Sequence, residues 1–124
     1  MAKYQNDSML DAAFDWVKAK VTKVCVCSTQ PTTYAEAIST YRLATSAFTS
    51  TDMTIANGDT NGRKVTYAAK SGLSIVAAGT ARHIAWVGST GSTLLVVTTC
   101  TSVALTTGNT VNVPVVDQEI ADAA

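Results

Sequence analysis

The single histidine is the residue of this chain best suited to acid–base chemistry. His83 could serve one of many serines as a general base, with an aspartate to orient it, but no spacing in the sequence groups such a set. The residue lies in an alternating run, which predicts a half-exposed structural histidine. We therefore expect no catalytic residues, and the sequence argues against an enzyme.

Cysteine is the next residue type that could be reactive. Cys25 and Cys27 are two positions apart, so both thiols face the same side of a strand, and Cys100 is far along the chain. Three cysteines make no disulfide framework, and a metal site would need further ligands. The expectation is therefore buried thiols in a reducing compartment, with no metal and no cofactor.

One polar stretch imitates the start of a calcium-binding loop. Asn57, Asp59 and Asn61 alternate before Gly62, as calcium ligands do in such loops. The twelfth position, however, is Ala68, where the loop requires a glutamate that binds through both oxygens. This stretch is therefore predicted to be a turn.

An amphipathic helix is predicted over residues 6–19. Asn6 is a good N-cap, and aspartates at every fourth position are typical of a solvated helix face. Trp16 lies near the edge of the apolar face and is a candidate interface anchor, because tryptophan is enriched at binding hot spots. The apolar face is formed by Met9, Leu10, Ala13, Phe14 and Val17.

The remaining chain reads as β-strands. It contains 20 threonines, a residue that favours strands, and turn residues punctuate the apolar runs. A short helix is predicted over 34–41, with Thr33 as its cap and Glu36 completing a capping box. Outside the central hairpin, the predicted strands are 21–28, 43–48, 53–56, 63–70, 73–77, 102–105 and 110–120.

The central feature is a hairpin over 80–99. Ile84 and Trp86 point to one face of its first run, and His83 and Ala85 point to the other. The second run, 94–97, is apolar on both faces, which predicts a strand covered on both sides. A similar alternation places Val24 and Val26 opposite the cysteines in the strand over 21–28.

These elements define one domain over 1–124. We predict an all-β fold, a β-sandwich or jelly roll of about eight strands over 21–120, preceded by the helix and followed by a tail at 121–124. Pro114 interrupts the last run and indicates an edge strand or a bulge.

Composition narrows the classes of partner. The formal net charge is zero, with no basic excess for nucleic acid, and no apolar run is long enough to span a membrane. The first residues lack the apolar core of a signal peptide, so synthesis in the cytoplasm is expected. A net charge near zero favours association with other proteins.

Five segments in order along the chain carry a family resemblance: 6–13, 27–37, 59–66, 79–85 and 105–114. Together they resemble small virion structural proteins of tailed bacteriophages and prophages. The resemblance implies a protein without catalytic residues, made in the host cytoplasm and present in many copies in the virion. Small β-sandwich or jelly-roll proteins of such phages often act as capsid decoration (cement) proteins, which bind the major capsid protein and stabilise the shell.

Several positions in the virion stay open. A capsid decoration protein is the first hypothesis; a head–tail connector, tail-tube or fibre-associated protein, arranged as a homo-oligomer, is the alternative. A carbohydrate-binding β-sandwich is a further alternative. It would need exposed aromatic residues on one sheet face, and the chain has only eight aromatic residues of any kind, which argues against it. The expected contact residues are Phe14 and Trp16 on the helix, with Pro114 and Val116 on the last strand.

Overall fold

The structure is a computed structural model that describes residues 6–59 and 62–120. Strands make up 52% of it, all pairings between them are antiparallel, and one α-helix is present in these two ranges. The predicted all-β class is confirmed, whereas the predicted tail at 121–124 lies outside the described residues. The elements are α1 Asp7–Lys20, β1 Lys23–Cys27, β2 Arg42–Ala47, β3 Met53–Asn57, β4 Arg63–Tyr67, β5 Lys70–Ser74, β6 Gly79–Gly88, β7 Thr93–Leu105, β8 Thr110–Val113 and β9 Val116–Ile120.

Helix α1 begins where the capping residue predicts. The side chain of Asn6 accepts a hydrogen bond from the N–H of Ser8 at 2.8 Å, which satisfies one of the free donors of the first turn. The helix then runs to Lys20, within one residue of the predicted end. Its buried side chains all come from the predicted apolar face: Leu10, Phe14 and Val17.

The strands form three groups. A four-stranded sheet has the order β2-β1-β6-β7, a three-stranded sheet has the order β3-β4-β9, and β5 pairs with β8. An isolated bridge between Ala44 and Ile75 connects β2 to the chain just after β5, and the N–H of Val76 donates to the carbonyl of Leu43 at 2.8 Å. The β5-β8 pair therefore adjoins the outer side of β2.

The predicted central hairpin is present as β6 and β7. Gly91 adopts a φ of 74° in the connecting turn, and Ser92 follows at 50°. The run 94–97 is only half-buried, because β7 is the last strand of its sheet and has a neighbour on one side. The predicted strand at 102–105 is the continuation of β7, so the two runs make one strand of 13 residues.

The last predicted strand, 110–120, divides at Pro114. Strand β8 pairs with β5, and β9 pairs with β4 in the three-stranded sheet. Proline has no N–H to donate to a ladder, so pairing stops there and the chain changes sheets. This is a stronger break than the edge position or bulge that the sequence predicts.

Two other boundaries were wrong. The predicted turn at 71–72 lies inside β5, where Gly72 adopts a φ of 70° and the pairing with β8 is irregular. The N–H of Gly72 is satisfied by the side chain of Asn112 at 2.9 Å. A glycine that enables an irregular strand looks the same in sequence as one that enables a turn. The strand predicted over 63–70 ends at Tyr67.

The short predicted helix is a helical turn of the π type over Glu36–Thr40. Thr33 accepts a hydrogen bond from the N–H of Glu36 at 3.2 Å, as a cap does. The carboxylate of Glu36 accepts from the N–H and the hydroxyl of Thr32, both at 2.8 Å, so it does not close the box on Thr33. These hydrogen bonds hold the pKa of Glu36 below its usual value.

Two apolar clusters lie on opposite faces of the four-stranded sheet. Val24 and Val26 belong to the larger cluster, whereas Cys25 and Cys27 belong to the smaller one under the π-helical turn. The predicted alternation is therefore confirmed. The larger cluster joins α1, both larger sheets and the β5-β8 pair, and its largest fully buried side chains are Trp86, Tyr67, Phe14 and Phe48.

Candidate interaction surface

His83 lies partly exposed on β6, as the sequence predicts. It lines an open depression of about 520 Å³, together with Arg82, Thr80 and residues 28–30. Its Nδ1 is buried and forms no hydrogen bond within the described ranges, so no carboxylate orients the imidazole there. A general base is normally oriented by such a partner, and the described residues supply none to His83.

The two neighbouring cysteines are fully buried thiols. Burial raises the pKa of Cys27 to about 12, and its Sγ donates to the carbonyl of Ala37 at 3.7 Å. Burial also raises the pKa of Cys25. Since the thiolate is the reactive form, these side chains act as small packing groups at neutral pH.

Asn57 and Asp59, at the start of the polar stretch, use their side-chain oxygens for a hydrogen bond and an ion pair. The carboxylate of Asp59 lies 2.7 Å from Nζ of Lys64, and Oδ1 of Asn57 accepts from Arg63 at 2.6 Å. Asn61, the third residue of the calcium-like pattern, lies outside the described residues. Within 6–59 and 62–120, no three His, Cys, Asp or Glu side chains come together as metal ligands.

The first exposed apolar surface lies on α1. Met9 is 56% exposed and Trp16 is 51% exposed, and a spacing of seven residues places both on one side of a helix. We call this pair the helix patch. Phe14, by contrast, is 2% exposed, so its inclusion among the contact residues is corrected: its side chain fills the core and is withdrawn from any partner.

The second exposed apolar surface lies beside β7 and β8. A groove of about 240 Å³ separates the two strands, and Val103, Val111 and Pro114 line it. Val103 is 47% exposed and Val115, which follows Pro114, is 59% exposed. We call Val103, Pro114 and Val115 the groove patch. Val116 is half-buried against the larger cluster, so it contributes less surface than Pro114.

Strand β7 is a feature that sequence reasoning missed. It forms the outer edge of the four-stranded sheet and pairs only with β6 among the strands described. Its 13 residues include no charged residue, no proline and no glycine. An uncharged run of this length was a signal that could have marked it as an edge suited to pairing.

Comparisons of the chain with protein-family models, with curated proteins and with solved structures find no match. In the part of the chain that the structure describes, no helix is both long and apolar enough to cross a membrane.

Proposed function

We propose that this chain is a structural protein of a tailed-bacteriophage virion, and that it decorates the capsid by binding the major capsid protein and stabilising the shell. The observation that carries the proposal is the exposure of large apolar side chains in both the helix patch and the groove patch, on a β-rich scaffold of zero net charge. A cement protein must hold at least two neighbours at once, which requires two contact surfaces. Exposed apolar patches are typical of protein–protein contact sites.

The helix patch is held in place by the core beneath it. Phe14 anchors α1 from below, and Asp11 on the same helix forms a salt bridge with Arg63 of β4 at 2.8 Å. A helix fixed in this way presents Met9 and Trp16 without losing much conformational freedom on binding. Tryptophans in such positions commonly contribute about 2 kcal/mol or more to an interface.

The groove patch is also fixed by the fold. Pro114 and Val115 connect β8 to β9, and these two strands are anchored in different sheets. Both ends of the connection are therefore held, and proline restricts its backbone further. A short rigid connection with an exposed valine offers a second contact at low entropic cost.

We also propose that the two larger sheets form a β-sandwich. Support comes from Tyr67 on β4 and Trp86 on β6, whose rings are in contact across the gap between the sheets. Nine strands lie in the described ranges, where the sequence predicts about eight. The β5-β8 pair is the additional element beside the two facing sheets.

Single substitutions in each patch test the proposal. We expect Trp16→Ser and Val115→Ser each to weaken binding to capsid shells lacking this protein by about tenfold or more, measured by co-sedimentation. Val76 is 50% exposed and belongs to neither patch, so Val76→Ser is the matched control and should bind as the wild type does. Normal binding by both patch variants would contradict the proposal.

Point substitutions are preferable to removal of the helix. Leu10, Phe14 and Val17 all belong to the buried core, so deletion of residues 1–18 would expose the interior of the domain. If such a truncated chain failed to bind shells, the result would not distinguish unfolding of the domain from loss of the contact surface. Trp16→Ser leaves these buried side chains in place.

A further inference from the structure

We infer that β7 is an interface strand through which two copies of this chain pair, antiparallel, to form one continuous sheet. The four-stranded sheet of each copy would then join its counterpart edge to edge. The inference stands on the described geometry of β7 and does not depend on where the protein lies in a virion.

The outer edge of β7 has no partner within residues 6–59 and 62–120. Its only strand pairing is with β6, and no other backbone hydrogen bond reaches it. An edge strand directs alternate N–H and C=O groups away from its sheet, where they are available to another strand.

The protection that edge strands normally carry is missing from β7. Natural edges are kept short or carry lysine or proline, whereas β7 has 13 residues without either and extends for about 40 Å. Two irregularities in its pairing with β6 leave Val96–Thr99 as a regular run. The other strands at sheet edges are shorter: β2 has six residues, β3, β5 and β9 have five each, and β8 has four. Strand β9 also carries Asp117 and Glu119.

The composition of β7 fits a second copy of itself. An antiparallel pair related by a two-fold axis places the same strand on both sides, so any charge would face a like charge nearby. β7 has none. Its apolar residues over 94–97 are partly exposed on both faces and would gain burial from the added strand. A strongly charged partner strand would find no complementary charge on β7.

The test uses the full chain in solution. We expect the wild type to sediment as a dimer, and Thr99→Lys combined with Thr101→Lys to weaken the dimer by about 100-fold or more. Both threonines are exposed, so lysine can be accommodated in the monomer, while two lysines per copy repel across the axis. Circular dichroism checks that the variant is folded.

The matched control adds the same charge at two other edges. Thr54 on β3 and Thr110 on β8 are exposed, and Thr54→Lys with Thr110→Lys should leave the dimer intact. A monomeric wild type, or equal loss of the dimer in the control, would overturn the inference. Should the β7 variant fail to fold, hydrogen exchange in the wild type decides: β7 amides must gain protection as concentration rises, and exchange independent of concentration would overturn it.

Discussion

Tyr67 and Trp86 pack ring against ring, with centroids 4.5 Å apart and planes inclined by 33°. Tyr67 belongs to β4 and Trp86 to β6, so this contact joins the three-stranded sheet to the four-stranded one. Neither residue is exposed, and Phe48 completes the cluster with its ring 6.3 Å from that of Trp86. All three rings belong to the larger apolar cluster.

Loss of the central indole should be costly. We expect Trp86→Ala to lower the free energy of unfolding by about 3–5 kcal/mol, because it leaves a cavity where both sheets meet. Trp16→Ala is the control: that side chain is 51% exposed, and its loss should change stability by about 0.5 kcal/mol or less. Urea unfolding measures both, and equal losses would contradict this account of the core.

The hydroxyl of Tyr67 connects two strands. It donates to Oε1 of Gln118 on β9 at 2.7 Å. Tyr67→Phe keeps the ring and removes this hydrogen bond, so we expect a loss of about 1 kcal/mol in the free energy of unfolding. Chemical denaturation at neutral pH measures it. A loss as large as that of Trp86→Ala would show that the hydroxyl has a further role.

The same residue should make the protein sensitive to alkali. Burial raises the pKa of Tyr67 to about 12, so the fold favours the protonated phenol. The stability it contributes is fully present below the usual tyrosine pKa of about 10 and is lost as the pH rises towards 12. The melting temperature should therefore fall as the pH is raised between these two values, and it should fall less in the Tyr67→Phe variant. Cys27, whose pKa is raised in the same way, should account for part of the remaining fall.

The helix is tied to the three-stranded sheet by a two-bond salt bridge. Nε of Arg63 lies 2.8 Å from Oδ1 of Asp11, and Nη2 lies 3.2 Å from Oδ2. We expect Asp11→Asn to lower the melting temperature, and this loss to shrink at high salt, which screens the pair. Asp15→Asn is the control, because Asp15 is exposed on the same helix and forms no salt bridge in the described ranges. Equal losses of melting temperature in Asp11→Asn and Asp15→Asn would contradict a specific role for the salt bridge.

Gly88 is required for space at the end of β6. A Cβ at this position would collide with the main-chain carbonyl oxygen of Lys20 at the end of α1. We expect Gly88→Ala to destabilise the protein by about 1–3 kcal/mol, since backbone must shift. Gly91 has a φ of 74°, which asparagine adopts more readily than most residues, and a Cβ there would make only an ordinary contact with Oγ1 of Thr93 at 3.6 Å, so Gly91→Asn should be tolerated much better. Thermal melting compares them, and equal melting temperatures would contradict the steric argument.

The local elements were predictable because their signals are local. The Asn6 cap with the apolar spacing after it locates α1, and turn residues between apolar runs locate the β6–β7 hairpin. Alternation also places Val26 and Cys27 on opposite faces, as the structure does. Each of these predictions depends on residues only a few positions apart.

The errors concern neighbours that are distant in sequence. The apolar residues at 94–97 predict a strand that is covered on both sides, yet β7 has a neighbouring strand on only one side. Met9 and Phe14 both belong to the predicted apolar face, but only the packing of α1 on β3 and β4 decides that Phe14 is buried while Met9 is exposed. For the same reason, the position of Pro114 at the groove and the exposure of the outer edge of β7 could not be predicted from the sequence.

The most direct test of the proposed function is the copy number of this protein in purified virions, determined by quantitative mass spectrometry against the major capsid protein. The proposal predicts hundreds of copies, in a simple ratio to the capsid protein, as repeated shell contacts require. A small multiple of six or twelve would contradict a decoration role and place the protein in the neck or tail. Absence from the particle would contradict any structural role in the virion.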